Sequence, residues 1–154
     1  MKHTIDLAEQ IRGTYWHAAA ILKLELDPIV RVPAQELRFE IGGGSVTRRV
    51  HAAVGPMISG PGSLSVPLHW TATEHPNLFP VMDGELHISD VAGNQIELRL
   101  DGKYHTPLGA VGAIANAMLG RRVADKSLRG FLSEVAQRLE SSLVAHAGRA
   151  GVET

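Results

Sequence analysis

Alternation of apolar and polar side chains organises the middle of this chain. Leu37, Phe39 and Ile41 alternate with Glu36, Arg38 and Glu40, a period of two that predicts a strand with one buried face and one wet face. Gly42-Gly43-Gly44 follows as a turn. Val46, Val50, Ala52 and Val54 then share one face, with Thr47, Arg49 and His51 on the other. Gly55 to Gly62, containing Pro56 and Pro61, reads as a loop. Leu64, Val66, Leu68 and Trp70 alternate with Ser65, Pro67 and His69, and Pro67 marks an edge strand or a bulge. Glu74 to Pro80 is irregular. Leu86 and Ile88 oppose Glu85, His87 and Ser89, and Ala92-Gly93-Asn94 makes a hairpin turn. Ile96, Leu98 and Leu100 alternate with Glu97, Arg99 and Asp101, in a strand that extends towards Tyr104. Short turns between successive strands make them antiparallel.

The period then lengthens. Ala124, Leu128, Phe131, Leu132, Val135, Leu139 and Leu143 recur at steps of three and four, one stripe of a helix. Arg122, Asp125, Lys126, Arg129, Glu134, Arg138 and Glu140 take the other face. Asp125 with Arg129 and Glu134 with Arg138 are acid-then-base pairs at i, i+4, which support a helix. The helix is expected from Leu108 to about Ala147, with Pro107 suited to its first turn. Such a rod is ~60 Å long, whereas a ten-residue strand covers ~33 Å. Part of it must overhang the sheet, bend, or meet another subunit. The predicted class is α+β: a curved antiparallel sheet wrapped around a long C-terminal helix.

The N-terminal region reads differently. Thr4 caps a short helix carrying Ile5, Ala8, Ile11, Ala18 and Ala19. Leu22, Leu24 and Leu26 then alternate with Lys23, Glu25 and Asp27, at strand spacing. The same residues suit the end of the first helix. Pro28 stops either element.

Composition narrows the class. The 154 residues suggest one domain, over 1–147, with a loose tail from Gly148 to Thr154. A net charge of −1 provides no global basic excess for nucleic acid. No apolar run reaches membrane-spanning length, and Met1 to Glu9 lacks the layout of a signal peptide. There is no cysteine, hence no disulfide and no thiol chemistry. A cytoplasmic domain is expected.

Two polar positions share the inward parity, Arg48 with Val46 and Val50, and Tyr104 with Ile96, Leu98 and Leu100. They line a ligand cavity between sheet and helix, or they mark a bulge or strand end where Arg48 reaches water along its own stem. Trp70, Phe79 and Met82 suit an apolar wall or an ordinary core. His51, His69, His87 and His105 have outward parity and lack the spacing of a tight metal site, although neighbouring strands could bring His69 near His87. No metal site and no cofactor is expected. Gly42-Gly43-Gly44 is followed by no helix, so it is no phosphate cradle. No nucleophile elbow is present, and no carboxylates stand out as an acid/base team.

The run His75-Pro76-Asn77-Leu78-Phe79-Pro80-Val81-Met82-Asp83-Gly84-Glu85-Leu86 resembles a stretch of bacterial, largely actinobacterial, members of the START/SRPBCC superfamily. Leu98-Arg99-Leu100-Asp101-Gly102-Lys103-Tyr104, then Pro107-Leu108-Gly109 and Arg121-Arg122-Val123-Ala124, continue that likeness. Glu40-Ile41-Gly42-Gly43-Gly44 and Thr47-Arg48-Arg49-Val50 also fit, so it spans roughly Glu36 to Glu140. The resemblance implies a helix-grip fold, a seven-stranded sheet round the C-terminal helix, with an internal cavity for apolar molecules. The family opens with a strand and two short helices, where Met1 to Val32 reads here as helix then strand. It includes lipid and hormone carriers and polyketide cyclases. The leading expectation is therefore a non-enzymatic binder of a small hydrophobic molecule, with Arg48, Trp70, Phe79, Met82, Tyr104 and Phe131 at the ligand. A cyclase or dehydratase using Tyr104, Arg48 and His75 is the second. A dimerising domain packed through Gly109 to Gly120 is the third.

Overall fold

The computed structural model describes residues 2–41, 44–72, 81–105 and 117–152, with side chains over 4–35, 51–71, 81–104 and 126–146. The chain opens with β1 (Lys2–Arg12), α1 (Tyr15–Leu24) and a π-helical turn (Asp27–Arg31) that runs into α2 (Val32–Ala34). The strands β2 (Glu36–Ile41), β3 (Gly44–Val54), β4 (Ile58–Gly60), β5 (Ser63–Ala72), β6 (Val81–Ala92) and β7 (Gln95–His105) follow, and α3 (Ala117–Val152) closes the chain. Among the described residues, no helix is long and apolar enough to cross a membrane.

The first element corrects the sequence expectation. Residues 2–12 are a strand, paired antiparallel with β7 from Lys2↔His105 to Arg12↔Gln95. Ile5, Leu7 and Ile11 are buried while Ala8 is exposed, which is period two. Glu9 sits on the inward parity and masks that alternation. The spacing of Ile5, Ala8 and Ile11 imitates a helix, but a full-length partner strand supplies the hydrogen bonds that decide the matter. The stretch from Ile21 is likewise helix. Leu22 is fully buried and Leu24 is 81 % exposed, so two residues of equal parity lie on different faces. Pro28 stands at the start of the π-helical turn rather than ending an element. Asp27 accepts a hydrogen bond from Arg31 at 2.7 Å across that turn. Strand, helix and a second short helical segment thus open the chain.

The sheet has seven strands in the order β1-β7-β6-β5-β3-β2, with β4 paired to β5. The loop expected over Gly55 to Gly62 contains β4, three residues paired with Ser63–Ser65. Gly93 adopts a left-handed φ of 56° between β6 and β7, as the tight hairpin requires. Gly42 and Gly43 lie outside the described residues, as does 73–80. Pro67 is not at an edge, since β5 is flanked by β3 and β6, but between the pairs Val54↔Leu68 and Ile58↔Ser65 the three residues Gly55 to Met57 face only Val66 and Pro67, the extra residue of a bulge. The Pro67 carbonyl accepts from the Gly55 N–H at 2.9 Å, so its missing N–H faces the same side. There the β3 ladder stops at Leu68 and the β4 ladder starts at Ser65. The proline falls in the gap, where no ladder hydrogen bond is lost.

Helix α3 packs against β1 and β2, the two ends of the strand order. Contact with both ends requires the sheet to curl around the helix. Gly84 and Gly102 face each other in the β6–β7 register. A Cβ on Gly84 would stand 2.6 Å from the Asp101 carbonyl oxygen, and one on Gly102 would stand 2.6 Å from Gly84 Cα. Two strands without Cβ atoms at this point come closer than other residues allow, which lets the sheet bend.

The predicted stripe of α3 is buried over Leu128, Phe131, Leu132, Val135, Leu139 and Leu143; its first member, Ala124, lies outside the described side chains. Glu134 and Arg138 form their i, i+4 pair at 2.9 Å, and Arg138 Nη1 also donates to the Pro28 carbonyl at 2.7 Å. The helix runs past the expected end at Ala147 to Val152. Its expected start over 108–116 lies outside the described residues, so the packing expected through Gly109 to Gly120 does too.

Candidate ligand-binding site

Register assembles the site. Ala52 pairs with Trp70, Trp70 with Met82, and Met82 with Tyr104. Residues directly opposite in antiparallel strands share a face, so these four form a row across β3, β5, β6 and β7. Trp70, Met82 and Tyr104 are all buried. The helix contributes Phe131, whose ring meets Trp70 edge-on, with centroids 5.1 Å apart and planes at 81°. That is a favoured aromatic geometry. The indole N–H of Trp70 donates to the Ala34 carbonyl at 2.8 Å. One side chain therefore holds the end of α2, the sheet and the helix together.

Four of the expected residues, Trp70, Met82, Tyr104 and Phe131, thus converge between sheet and helix. Arg48 lies in β3 opposite Leu37 of β2, and its side chain is outside the described residues. Phe79 and His75 lie within 73–80, also outside them. The wall that is described is aromatic and thioether surface with one phenol.

At the far end of β1 and β7 an open cleft of about 570 Å³ lies between Gly13, Thr14, Asn94 and Leu143. Nearby, burial and then the Glu140 carboxylate push the Glu9 carboxyl above its ordinary pKa. Glu140 accepts from the Arg12 backbone N–H at 3.4 Å.

The opposite face of the sheet is polar. His69 bonds to Asp83, its register partner on β6. His87 pairs in register with Ser65, four residues along β5 from His69, or roughly 13 Å. Those two histidines do not share a site. His87 instead meets Ser65 Oγ at 2.9 Å through Nδ1, and Asp101 and Glu85 at 3.0 and 3.4 Å through Nε2. Parity placed each of these residues outward, but the diagonal that joins them needs the register. Arg99, opposite His87, is held by Asp6 at 3.0 Å and Glu97 at 3.0 Å. The hydrogen bond to Glu97, then the Asp6 charge, raise its pKa above the ordinary value.

No family model matches the sequence, and a search of curated proteins finds no match. Solved structures do match. A conserved protein from Geobacillus kaustophilus superposes with a TM-score of 0.57 at 14 % identity, over 92 % of this chain and 97 % of that one. An aromatase/cyclase from a Streptomyces species does so with a TM-score of 0.53 at 11 % identity, over 91 % and 94 %. The chain has a helix-grip fold. A hypothetical protein from Helicobacter pylori aligns with a TM-score of 0.50 at 8 % identity, over 88 % and 87 %. Likeness at such low identity speaks for the fold. The Trp70 row lies on the face of the curled sheet that meets α3, through the contact of Trp70 with Phe131.

Proposed function

We propose that the protein binds a small hydrophobic molecule, of lipid or polyketide type, between the sheet and α3, without chemical turnover. The observation that carries this reading is the buried row Trp70, Met82 and Tyr104, with Trp70 against Phe131 of the helix. Large, polarisable side chains there give an apolar guest dispersion contacts, and the phenol gives it a direction. Arg48 and Phe79 complete the proposed lining, with Arg48 as the anchor for a polar end.

The protein's two tryptophans make the test direct. Trp16 is 76 % exposed and Trp70 is buried. In a Trp16→Phe variant the only indole emission comes from the proposed site. Titration with fatty acids and aromatic polyketides is expected to shift or quench that emission saturably for at least one class. A flat response across chemically diverse candidates would refute the reading.

The Streptomyces neighbour of the same fold is an aromatase/cyclase, which keeps a second reading in view. A cyclase of this kind would orient a reactive chain and move protons through Tyr104, Arg48 and His75. Turnover of a poly-β-ketone analogue, lost in Tyr104→Phe, would favour it over carriage.

A further inference from the structure

We propose that Glu85, His87 and Asp101, on the face of the sheet turned away from α3, form a binding site for a divalent first-row transition ion such as Zn²⁺ or Mn²⁺. The site is independent of the proposed apolar pocket.

The register brings the three together. Glu85 of β6 lies directly opposite Asp101 of β7. His87 follows two residues after Glu85, on the same face, and reaches diagonally to Asp101. One atom from each residue, His87 Nε2 and a carboxylate oxygen from each acid, falls within 4.8 Å of the other two. The edges from Nε2 are 3.0 Å to Asp101 Oδ2 and 3.4 Å to Glu85 Oε2. An ion held at about 2.1 Å from each donor needs donor–donor edges of roughly 2.9–3.4 Å, whether tetrahedral or octahedral. The two edges from the imidazole already have those lengths.

The electrostatics favour a cation. Two carboxylates directly opposite each other on a sheet repel. The guanidinium nearest in register, on Arg99, is hydrogen-bonded to Asp6 and Glu97 and reaches Asp101 only as a weaker charge interaction. Lys103 lies opposite Asp83, one row further along. A cation between Glu85 and Asp101 relieves their repulsion.

Ser65 makes the histidine adaptable. Its Oγ lies 2.9 Å from His87 Nδ1, and a hydroxyl both donates and accepts. Without an ion, Ser65 donates to Nδ1 and the Nε2–H donates to Asp101. With an ion, the imidazole proton sits on Nδ1 and is accepted by Ser65, while the Nε2 lone pair binds the metal. A partner on the distal nitrogen that fixes the tautomer is the usual support of a metal-bound imidazole. Imidazole with two carboxylates suits Zn²⁺, Mn²⁺ or Co²⁺ better than Ca²⁺. The half-exposed carboxylates leave solvent room for the remaining coordination positions: their side chains are 46 % and 47 % exposed.

The test is equilibrium dialysis of the full chain against ZnCl₂ and MnCl₂, with Mn²⁺-induced broadening of histidine ring signals by NMR. Saturable binding of one ion per chain is expected, with His87 broadened before His69. His87→Gln and Asp101→Asn should each weaken binding at least tenfold, and Ser65→Ala by a smaller factor. His69→Ala removes the neighbouring His69–Asp83 pair and should leave the affinity unchanged. Retained far-UV circular dichroism establishes that each variant folds. Absence of saturable binding overturns the proposal, and so does binding that survives His87→Gln or is abolished by His69→Ala.

Discussion

Replacing Trp70 by Phe tests whether one indole joins sheet, helix and α2. Trp70 is 2 % exposed and its N–H is the donor to the Ala34 carbonyl. Ala34 is itself fully buried, so water cannot replace the lost donor. An unpaired buried carbonyl costs about 1–3 kcal/mol. The smaller ring leaves a void of roughly 40 Å³, and at ~24 cal/mol per Å³ this adds about 1 kcal/mol. The edge-on contact with Phe131 survives in kind, so its ~0.5–1.5 kcal/mol is largely retained. The sum is a loss of about 2–4 kcal/mol, or a fall in Tm of roughly 4–16 °C for a chain of this size. Urea unfolding followed by far-UV circular dichroism measures it, because the substitution removes the fluorescent reporter. Trp16→Phe is the control, expected to stay within about 0.5 kcal/mol as an exposed change. A loss below about 1 kcal/mol for Trp70→Phe, at unchanged m, would refute the anchoring role.

Three further outcomes follow from other places in the fold. Folding raises the Glu9 pKa, so between the unfolded and folded values the folded chain binds more protons, and stability falls as pH rises through that window. Glu9→Gln should therefore stabilise the protein at neutral pH, by less than about 1 kcal/mol because solvent screens the site. The gain should vanish below about pH 4, and thermal melts showing equal gains at both pH values would contradict this. Gly102→Ala forces backbone apart where a Cβ has no room and should cost about 1–3 kcal/mol or more, measured by urea midpoint; a neutral result would mean the bend does not depend on this glycine. Gly130→Ala, on the exposed side of α3 with open space around it, should stabilise by ~0.5–1 kcal/mol in the same assay; a loss would show that the helix is not regular there.

The parts legible in sequence were those where one periodicity had no competitor. The α3 stripe repeats at three and four over several turns, and the residues it named from Leu128 to Leu143 are buried. Strands β5, β6 and β7 alternate cleanly enough to fix inward parity for Trp70, Met82 and Tyr104, and parity plus register is what gathers them. The N-terminus failed for a definable reason. Glu9 interrupts the alternation of Ile5, Leu7 and Ile11, and the nearest apolar spacings then favour a helix. Only β7, some ninety residues away, supplies the hydrogen-bonding partner that makes a strand, and a local window does not contain it. Pro67 was half legible, because only the edge reading fails against strands on both sides of β5. Its position is allowed by a gap between two ladders on one side of β5, a property of three strands together.

The Ser65–His87–Glu85–Asp101 cluster shows a third kind of limit. Parity puts each residue on the outer face, but spacing along the chain joins only Glu85 and His87, and the cross-strand pair expected from sequence is His69 with His87 rather than His87 with Asp101. The ligand set is completed across the β6–β7 pairing, and the tautomer-setting hydroxyl comes from β5. In an antiparallel sheet the informative neighbours are the opposite residue and the diagonal one. A hairpin of known turn fixes both only where no bulge intervenes. Gly93 and Asn94 close the β6–β7 hairpin with a register shift between Asp90 and Ala92. That one-residue irregularity decides whether Glu85 faces Asp101 or a residue of opposite parity. The turn was predictable; the bulge was not, and the cluster depends on the bulge.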